Sequence, residues 1–342
     1  MSEFNFILKA DLFKKGLSEQ KYVLNNFWEK GSEILSGSGI NLKPLPKQWF
    51  SLRHNYFSVL FIVVFYILHI PLPRLRFYAR LNHCLRTWVT ACDNLLDDEL
   101  KELLITDLPE DARIFKSVHT ILVADRIFFS FMIDAVRDGI ITEHEMKILL
   151  QISLSSISAS GREEAEEESG VEYDLTPDDV LYKIHAVKTG RLFTSPLSAP
   201  LALGDIDKND PEYIHINDGL GAIALGCQIL DDLSDIGMDL HNRKHNYLAA
   251  LILAGENEKE RSLIHDILSG DLNNGTGQDS GLYKRFPDSS KAAIDEAKKQ
   301  FDKALDLLCT GGLPFNSTMK KAFLKALMTV YDHPRLLMSL RE

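Results

Sequence analysis

Residues 220–240 read LGAIALGCQILDDLSDIGMDL, the end of a helical pattern that spans Ile214–Leu240. From Leu220 to Leu230 only Gln228 is strongly polar; Asp231, Asp232, Asp235 and Asp239 follow directly. On a helix, positions 231, 235 and 239 stack on one face over two turns. Like charges at i and i+4 repel, so three of them adjoining a buried stretch ask for a counter-ion. A second acidic run, Asp93-Asn94-Leu95-Leu96-Asp97, closes another helical pattern that we place at Leu75–Leu104. Asp93 and Asp97 also share a face, and they lie where carboxylates oppose the helix dipole. Surface decoration or a frayed helix end would account for either run alone. Two such pairs together would hold hard divalent cations through oxygen ligands. Magnesium held in this way keeps waters and is completed by substrate phosphates, which points to chemistry on a diphosphate.

The rest of the chain is consistent with one all-α domain over 1–342. Its 342 residues are 45% hydrophobic and carry no obvious linker. Further helical patterns cover Glu19–Leu35, Leu52–Ile70, Ile114–Asp138, Glu143–Ser160, Asp178–Leu203, Tyr247–Gly255, Glu256–Ser269, Ser289–Cys309 and Asn316–Leu340. Thr176-Pro177-Asp178-Asp179 reads as an N-cap followed by proline at the first helical position. With short connections, this is the pattern of a helical bundle. Tyr56 to Leu72 is almost wholly apolar but short for a bilayer span, and His69 and Pro71 interrupt it. We read it as a helix buried in the bundle, with membrane contact or a dimer interface as the alternatives. Glu163 to Glu172 reads as a solvated acidic helix end, and Gly270 to Gly281 as a mobile surface loop.

The charge balance, 38 basic against 49 acidic residues with no basic block, argues against nucleic acid as a partner. Cys84, Cys92, Cys227 and Cys309 fit neither a disulfide framework nor a zinc spacing, and the first residues lack a secretion signal. We therefore expect a cytoplasmic protein. Only Glu212 to His215 has the Glu-x-x-His spacing of a di-iron bundle, which needs two such motifs. Neither acidic run fits a calcium-binding loop. Cations complete the pattern: Arg191 and Lys188, of which we expect Lys188 to point inward, within a largely apolar helix, and Arg243 and Lys244 just after the second acidic run.

Over roughly residues 75 to 255 the chain resembles the trans-isoprenyl diphosphate synthases of the class I isoprenoid synthase superfamily. The family order is DDxxD, a lysine-threonine pair, a glutamine leading into a second DDxxD, then further lysines. Here these are Asp93–Asp97, Lys188-Thr189, Gln228 before Asp231–Asp235, and Lys244, while Gly161-Arg162 stands where a glycine-glutamine pair is common. The resemblance implies a helical isoprenoid synthase bundle around a deep apolar cavity, with the aspartate motifs at its mouth binding three Mg2+ ions. It implies Asp93, Asp97, Asp231 and Asp235 as metal ligands, with Asp239 as a possible addition. Lys188, Arg191, Lys244 and Arg243 would meet the diphosphate of an allylic substrate, with Gln228 lining the mouth. Asn94, Asp98 and Asp232 would support the ligands. Phe61, Phe65, Trp88, Phe128, Phe129, Phe131 and Phe193 could wall the cavity. A homodimer is common in the family.

The chain also departs from that pattern. Elongating members carry an amino-terminal Gly-Gly-Lys-x-x-Arg segment and an Arg-Arg pair after the first motif, which hold isopentenyl diphosphate. Neither is present here; the nearest cations, Lys43, Lys47 and Arg53, are dispersed, and Asn94 replaces an aspartate. A protein that ionises an allylic diphosphate without a second charged substrate would cyclise or eliminate. The sequence reading is therefore a Mg2+-dependent terpene synthase on this scaffold. The alternatives are an isoprenyl diphosphate synthase or prenyltransferase with a divergent second-substrate site, and a non-catalytic helical partner subunit.

Overall fold

The structure, a computed structural model, describes residues 2–97, 100–269 and 281–330. Its first helices are α1 (Glu3–Ile7), α2 (Asp11–Leu35), α3 (Tyr56–Ile67), α4 (Leu72–Leu96), α5 (Arg113–Arg137) and α6 (Glu143–Glu167). Three short ones follow, α7 (Pro177–Asp179), α8 (Arg191–Thr194) and α9 (Ser198–Ala202). The last five are α10 (Pro211–Asn242), α11 (Tyr247–Ala254), α12 (Glu258–Leu268), α13 (Pro287–Thr310) and α14 (Ser317–Val330). Among the described residues the one β feature is an isolated antiparallel bridge between Leu42 and Thr106. The chain is all-α, as its periodicity implies. The loop expected at 270–280 and Asp98 lie outside the described residues.

Contacts divide the chain into two compact units, each built from segments distant in sequence. Among the described residues, unit one takes in 2–153, 199–207 and 315–330, and unit two takes in 154–198 and 208–314.

In unit one, the apolar segment forms α3 and buries Tyr56, Val59, Leu60, Ile62, Val63, Val64 and Phe65. It starts four residues later than its pattern implies, because Asn55 anchors the preceding turn. The Asn55 amide donates to the carbonyls of Trp49 (2.5 Å) and Ser51 (3.0 Å) and accepts from Gln20 (3.2 Å). The helix stops before Pro71, where His69 takes a left-handed φ of 56°. No helix among the described residues is long and apolar enough to cross a membrane. The Tyr56 hydroxyl donates to the Phe323 carbonyl at 2.8 Å, which ties α3 to α14. Of the proposed cavity aromatics, Phe65, Phe128 and Phe131 are buried and Phe129 is 41% exposed.

Helix α4 ends at Leu96, well short of the expected Leu104. Asn94 is buried, and its side chain binds the Lys101 backbone in both directions, Lys101 N–H to Oδ1 at 2.9 Å and Nδ2 to the carbonyl at 3.2 Å. Chain leaving the helix is thereby captured as an extended segment that pairs with residues 41–43.

In unit two, α10 and α13 approach closely because heptad-spaced glycines meet heptad-spaced large side chains. A Cβ on Gly219 would lie 2.9 Å from Leu308 Cγ, and one on Gly226 would lie 2.6 Å from Phe301 Cε1. The expected single helix Asp178–Leu203 is instead broken. Thr176 caps α7 as predicted, accepting from Asp179 N–H at 3.2 Å, but Val180–Gly190 is wound as a wide π-helix, followed by short turns at Pro196 and Pro200. Gly226→Ala is expected to lower unfolding stability by about 1–3 kcal/mol, read as the denaturant midpoint, since Phe301 is buried and cannot swing away.

Candidate functional site

Unit two gathers most of the predicted polar residues around one buried carboxylate. Asp232, 2% exposed, projects from the polar end of α10. Its Oδ2 lies 2.7 Å from His185 Nε2 on the π-helix and accepts the Tyr247 N–H at 2.5 Å. Its Oδ1 accepts from Gln228 Nε2 at 2.9 Å, and its carbonyl accepts from Asn246 Nδ2 at 2.8 Å. Burial would raise this carboxyl, but His185, the Tyr247 N–H and the Gln228 amide outweigh it and hold the group below the usual carboxylate range. Gln228 also accepts from the Thr189 hydroxyl. Its side chain therefore bridges Asp232 and Thr189.

The neighbouring aspartates differ in environment. Asp231 is half-buried and Asp235 exposed, one helical turn apart. Asp239 accepts from Asn246 Nδ2 at 2.8 Å. Burial, then the charges of Asp232 and Asp235, raise its carboxyl well above the ordinary value against the opposing Asn246 bond.

Lys188 points inward, as its setting implies, onto two carboxylates that the sequence reading placed in solvent. Its Nζ lies 2.8 Å from both Glu164 and Glu167. Burial works against the ammonium, yet these two anions hold it above its usual value. The acidic run is thus only in part a solvated helix end: Glu166 and Glu168 are exposed, whereas Glu167 is 3% exposed. Lys244 Nζ stands 4.0 Å from Glu164. Arg191 and Arg243 are exposed, and Arg243, with φ of 51°, forms the left-handed cap of α10.

Unit one carries the other aspartate pair. Asp93 and Asp97 are exposed on the last turn of α4, with Asp97 N–H donating to the Asp93 carbonyl at 2.9 Å. Asn94 is the buried clasp described above, which is a structural reason for an amide in place of an acid. Arg86, from 86 to 93 two turns earlier on the same helix, lies on the Asp93 face, about 10 Å along the axis.

Arg86 lines a cavity of about 450 Å3 together with Gln48, Ser51, Arg53, His54 and Val330. Its guanidinium donates to Ser58 Oγ (3.2 Å) and the His54 carbonyl (3.3 Å), and no carboxylate among the described residues pairs with it. Burial without a counter-ion pushes it down to about 10. His54 stacks on Trp49 at 4.8 Å; burial, then the Arg86 charge, pushes it down to about 4, so it is neutral at physiological pH. Of the dispersed cations Lys43, Lys47 and Arg53, only Arg53 reaches this cavity. The sequence reading missed Arg86, although its seven-residue spacing from Asp93 is a visible signal.

The donor chemistry suits a hard divalent cation: each unit offers carboxylates at i and i+4, backed in unit two by the fixed Asp232. Among the described residues no three metal-ligating side chains converge on one point, so such an ion would draw its remaining oxygens from water and phosphate.

No family model and no curated protein matches the sequence. Solved structures match it along nearly its whole length. A decaprenyl diphosphate synthase from Rhodobacter capsulatus superposes with a TM-score of 0.63 at 16% identity, covering 96% of this chain and 98% of that one. The chain has the fold of the trans-isoprenyl diphosphate synthases. A geranylgeranyl pyrophosphate synthetase from Pyrococcus horikoshii Ot3 gives 0.59 at 21% identity, covering 94% and 98%. A polyprenyl synthase from Caulobacter crescentus CB15, solved with calcium and isoprenyl diphosphate, gives 0.62 at 16%, covering 96% and 97%.

Asp239 offers a direct check on the metal assignment. A carboxyl whose folded pKa lies above its unfolded value of about 3.9 binds its proton more tightly when folded, so stability falls as pH rises from there toward the raised value. Asp239→Asn removes that loss and is expected to raise the thermal midpoint of metal-free protein at neutral pH. Added Mg2+ should then stabilise the wild type more than the variant. Equal stabilisation of both would remove Asp239 from the ligand set.

Proposed function

We propose that the chain is a Mg2+-dependent prenyltransferase of the isoprenyl diphosphate synthase kind, which joins an allylic prenyl diphosphate to a second diphosphate-bearing unit such as isopentenyl diphosphate. The observation that carries this reading is the cationic cavity around Arg86. The half-buried Arg86 guanidinium, with no carboxylate partner among the described residues, calls for an anion, and Arg53 and Arg86 together offer bidentate donors to phosphate. The cavity volume falls within the usual range for small-ligand sites, about 300–1,000 Å3.

The terpene synthase reading rested on the missing glycine-lysine-arginine segment and arginine pair. Arg86 with Arg53 supplies a different pair of cations for the same task. The likeness to decaprenyl and geranylgeranyl diphosphate synthases favours elongation over cyclisation as well.

In residue terms, Asp93, Asp97, Asp231 and Asp235, with Asp239 as an addition, would hold Mg2+. When bound, the ions supply charge neutralisation to a departing diphosphate. Lys188 and Lys244 contact that diphosphate, with Arg191 and Arg243 at the exposed edge. Asp232, fixed by His185 and Gln228, sets the rotation of α10 and so the direction of Asp231 and Asp235. Arg86 and Arg53 hold the second anion and orient the double bond that attacks the allylic carbon.

Incubation with Mg2+ and allylic diphosphates of increasing length, with and without isopentenyl diphosphate, tests the reading. A longer prenyl diphosphate that appears only when isopentenyl diphosphate is present is the expected result; a hydrocarbon or alcohol from one allylic diphosphate alone would establish a terpene synthase instead. Arg86→Gln should raise KM for isopentenyl diphosphate by about 10- to 100-fold, a loss of about 1.4–3 kcal/mol, with KM for the allylic substrate nearly unchanged. An unchanged KM for isopentenyl diphosphate would remove the cavity from the second-substrate site.

A further inference from the structure

The cluster around Lys188 contains more negative charge than a diphosphate site calls for. Lys188 Nζ contacts Glu164 Oε1 and Glu167 Oε2 at 2.8 Å each, and Lys244 Nζ lies 4.0 Å from Glu164 Oε2. These two ammonium groups and two carboxylates balance one another, and the carboxyls of Glu163 and Asp239 also lie within the field of Lys188. A free diphosphate would meet a neutral cluster, and every oxygen it offered Lys188 would compete with a carboxylate already in place.

The two carboxylates are not equivalent. The Glu167 side chain is 2% exposed, and its second oxygen accepts the His245 N–H at 3.4 Å, so it is built into the fold. The Glu164 side chain is 25% exposed, and among the described residues no backbone N–H reaches it. A frame of other bonds holds both beside the turn that carries Lys244. Val171 N–H donates to the Arg243 carbonyl at 2.8 Å, and the Tyr173 hydroxyl donates to the Lys244 carbonyl at 3.1 Å. Gly170 permits the approach: its φ is +80°, and a Cβ there would lie 3.1 Å from Arg243 Cβ. Release of Glu164 would leave that frame standing.

We infer that Glu164 is an exchangeable internal stand-in for a phosphate group, which neutralises Lys188 and Lys244 until a metal-complexed diphosphate displaces it, so that the site selects the metal complex over the free anion. Glu167 remains as the permanent counter-ion of Lys188. Glu164 is thus a positioning residue that sets specificity through Lys188. The inference rests on the reading of Lys188 as a diphosphate ligand.

Titration calorimetry with inorganic pyrophosphate, in excess chelator and in Mg2+, tests it without turnover. Wild-type protein should bind the Mg2+ complex and bind free pyrophosphate at least about tenfold more weakly. Glu164→Gln keeps the shape and removes the charge; it should tighten free pyrophosphate by about tenfold while shifting the Mg2+ complex by less than about threefold. Glu164→Asp keeps the charge and should track the wild type, and Glu164→Ala should reproduce the Gln result. Failure of the wild type to bind the Mg2+ complex would overturn the functional reading together with the inference. Binding by the wild type with no gain in Glu164→Gln would overturn the stand-in alone. An equal gain in Glu164→Asp would show that Glu164 acts through packing rather than charge, and would overturn it too.

Discussion

Unit two is organised by one buried anion. Asp232 is almost wholly shielded from water, so its lone pairs must be met from inside the protein, and the partners come from three elements: His185 on the π-helix, Gln228 one turn back on α10, and the Tyr247 N–H at the start of α11. Removing any one of them would leave a buried charge partly unmet, which costs far more than the bond itself contributes. This coupling fixes the rotation of α10 about its axis. Asp231 and Asp235 inherit their directions from it, and the wide winding of Val180–Gly190 is what brings His185 and Lys188 inward together.

The chain treats its inward cations in two opposite ways. Lys188 is over-compensated by Glu164 and Glu167, which keeps it charged and ordered in a half-buried place. Among the described residues Arg86 meets neutral acceptors, Ser58 Oγ and the His54 carbonyl, and its basicity falls with burial. A charge with an internal partner is stable as it stands but must exchange that partner to bind a ligand. One without a partner is costly as it stands and gains from any anion that enters.

The packing that carries these groups uses small residues where backbones must approach and asparagines where the chain must turn. Gly219 and Gly226 let α10 and α13 lie close enough to exclude a methyl group. Asn94 ends α4 by capturing Lys101, and Asn55 starts α3 by holding the turn before it. Each asparagine sits in a stretch whose hydrophobic pattern would extend the helix, and in each the local backbone bond prevails over that pattern.

By itself the sequence determined the all-α class, the main helices and the acidic runs, because helical periodicity and i, i+4 spacing are local properties that follow from 3.6 residues per turn. The inward direction of Lys188 and the cap at Thr176 were legible for the same reason. Only the tertiary structure decided which charges meet. Glu167 looks like surface in a run of acids and is buried; Gln228 meets Thr189, 39 positions away, as well as Asp232; Arg53 looks isolated and shares a cavity with Arg86, a partner 33 positions away. Burial and pairing depend on residues distant in sequence, and a charge is worth little or much according to the dielectric and the partner it finds there.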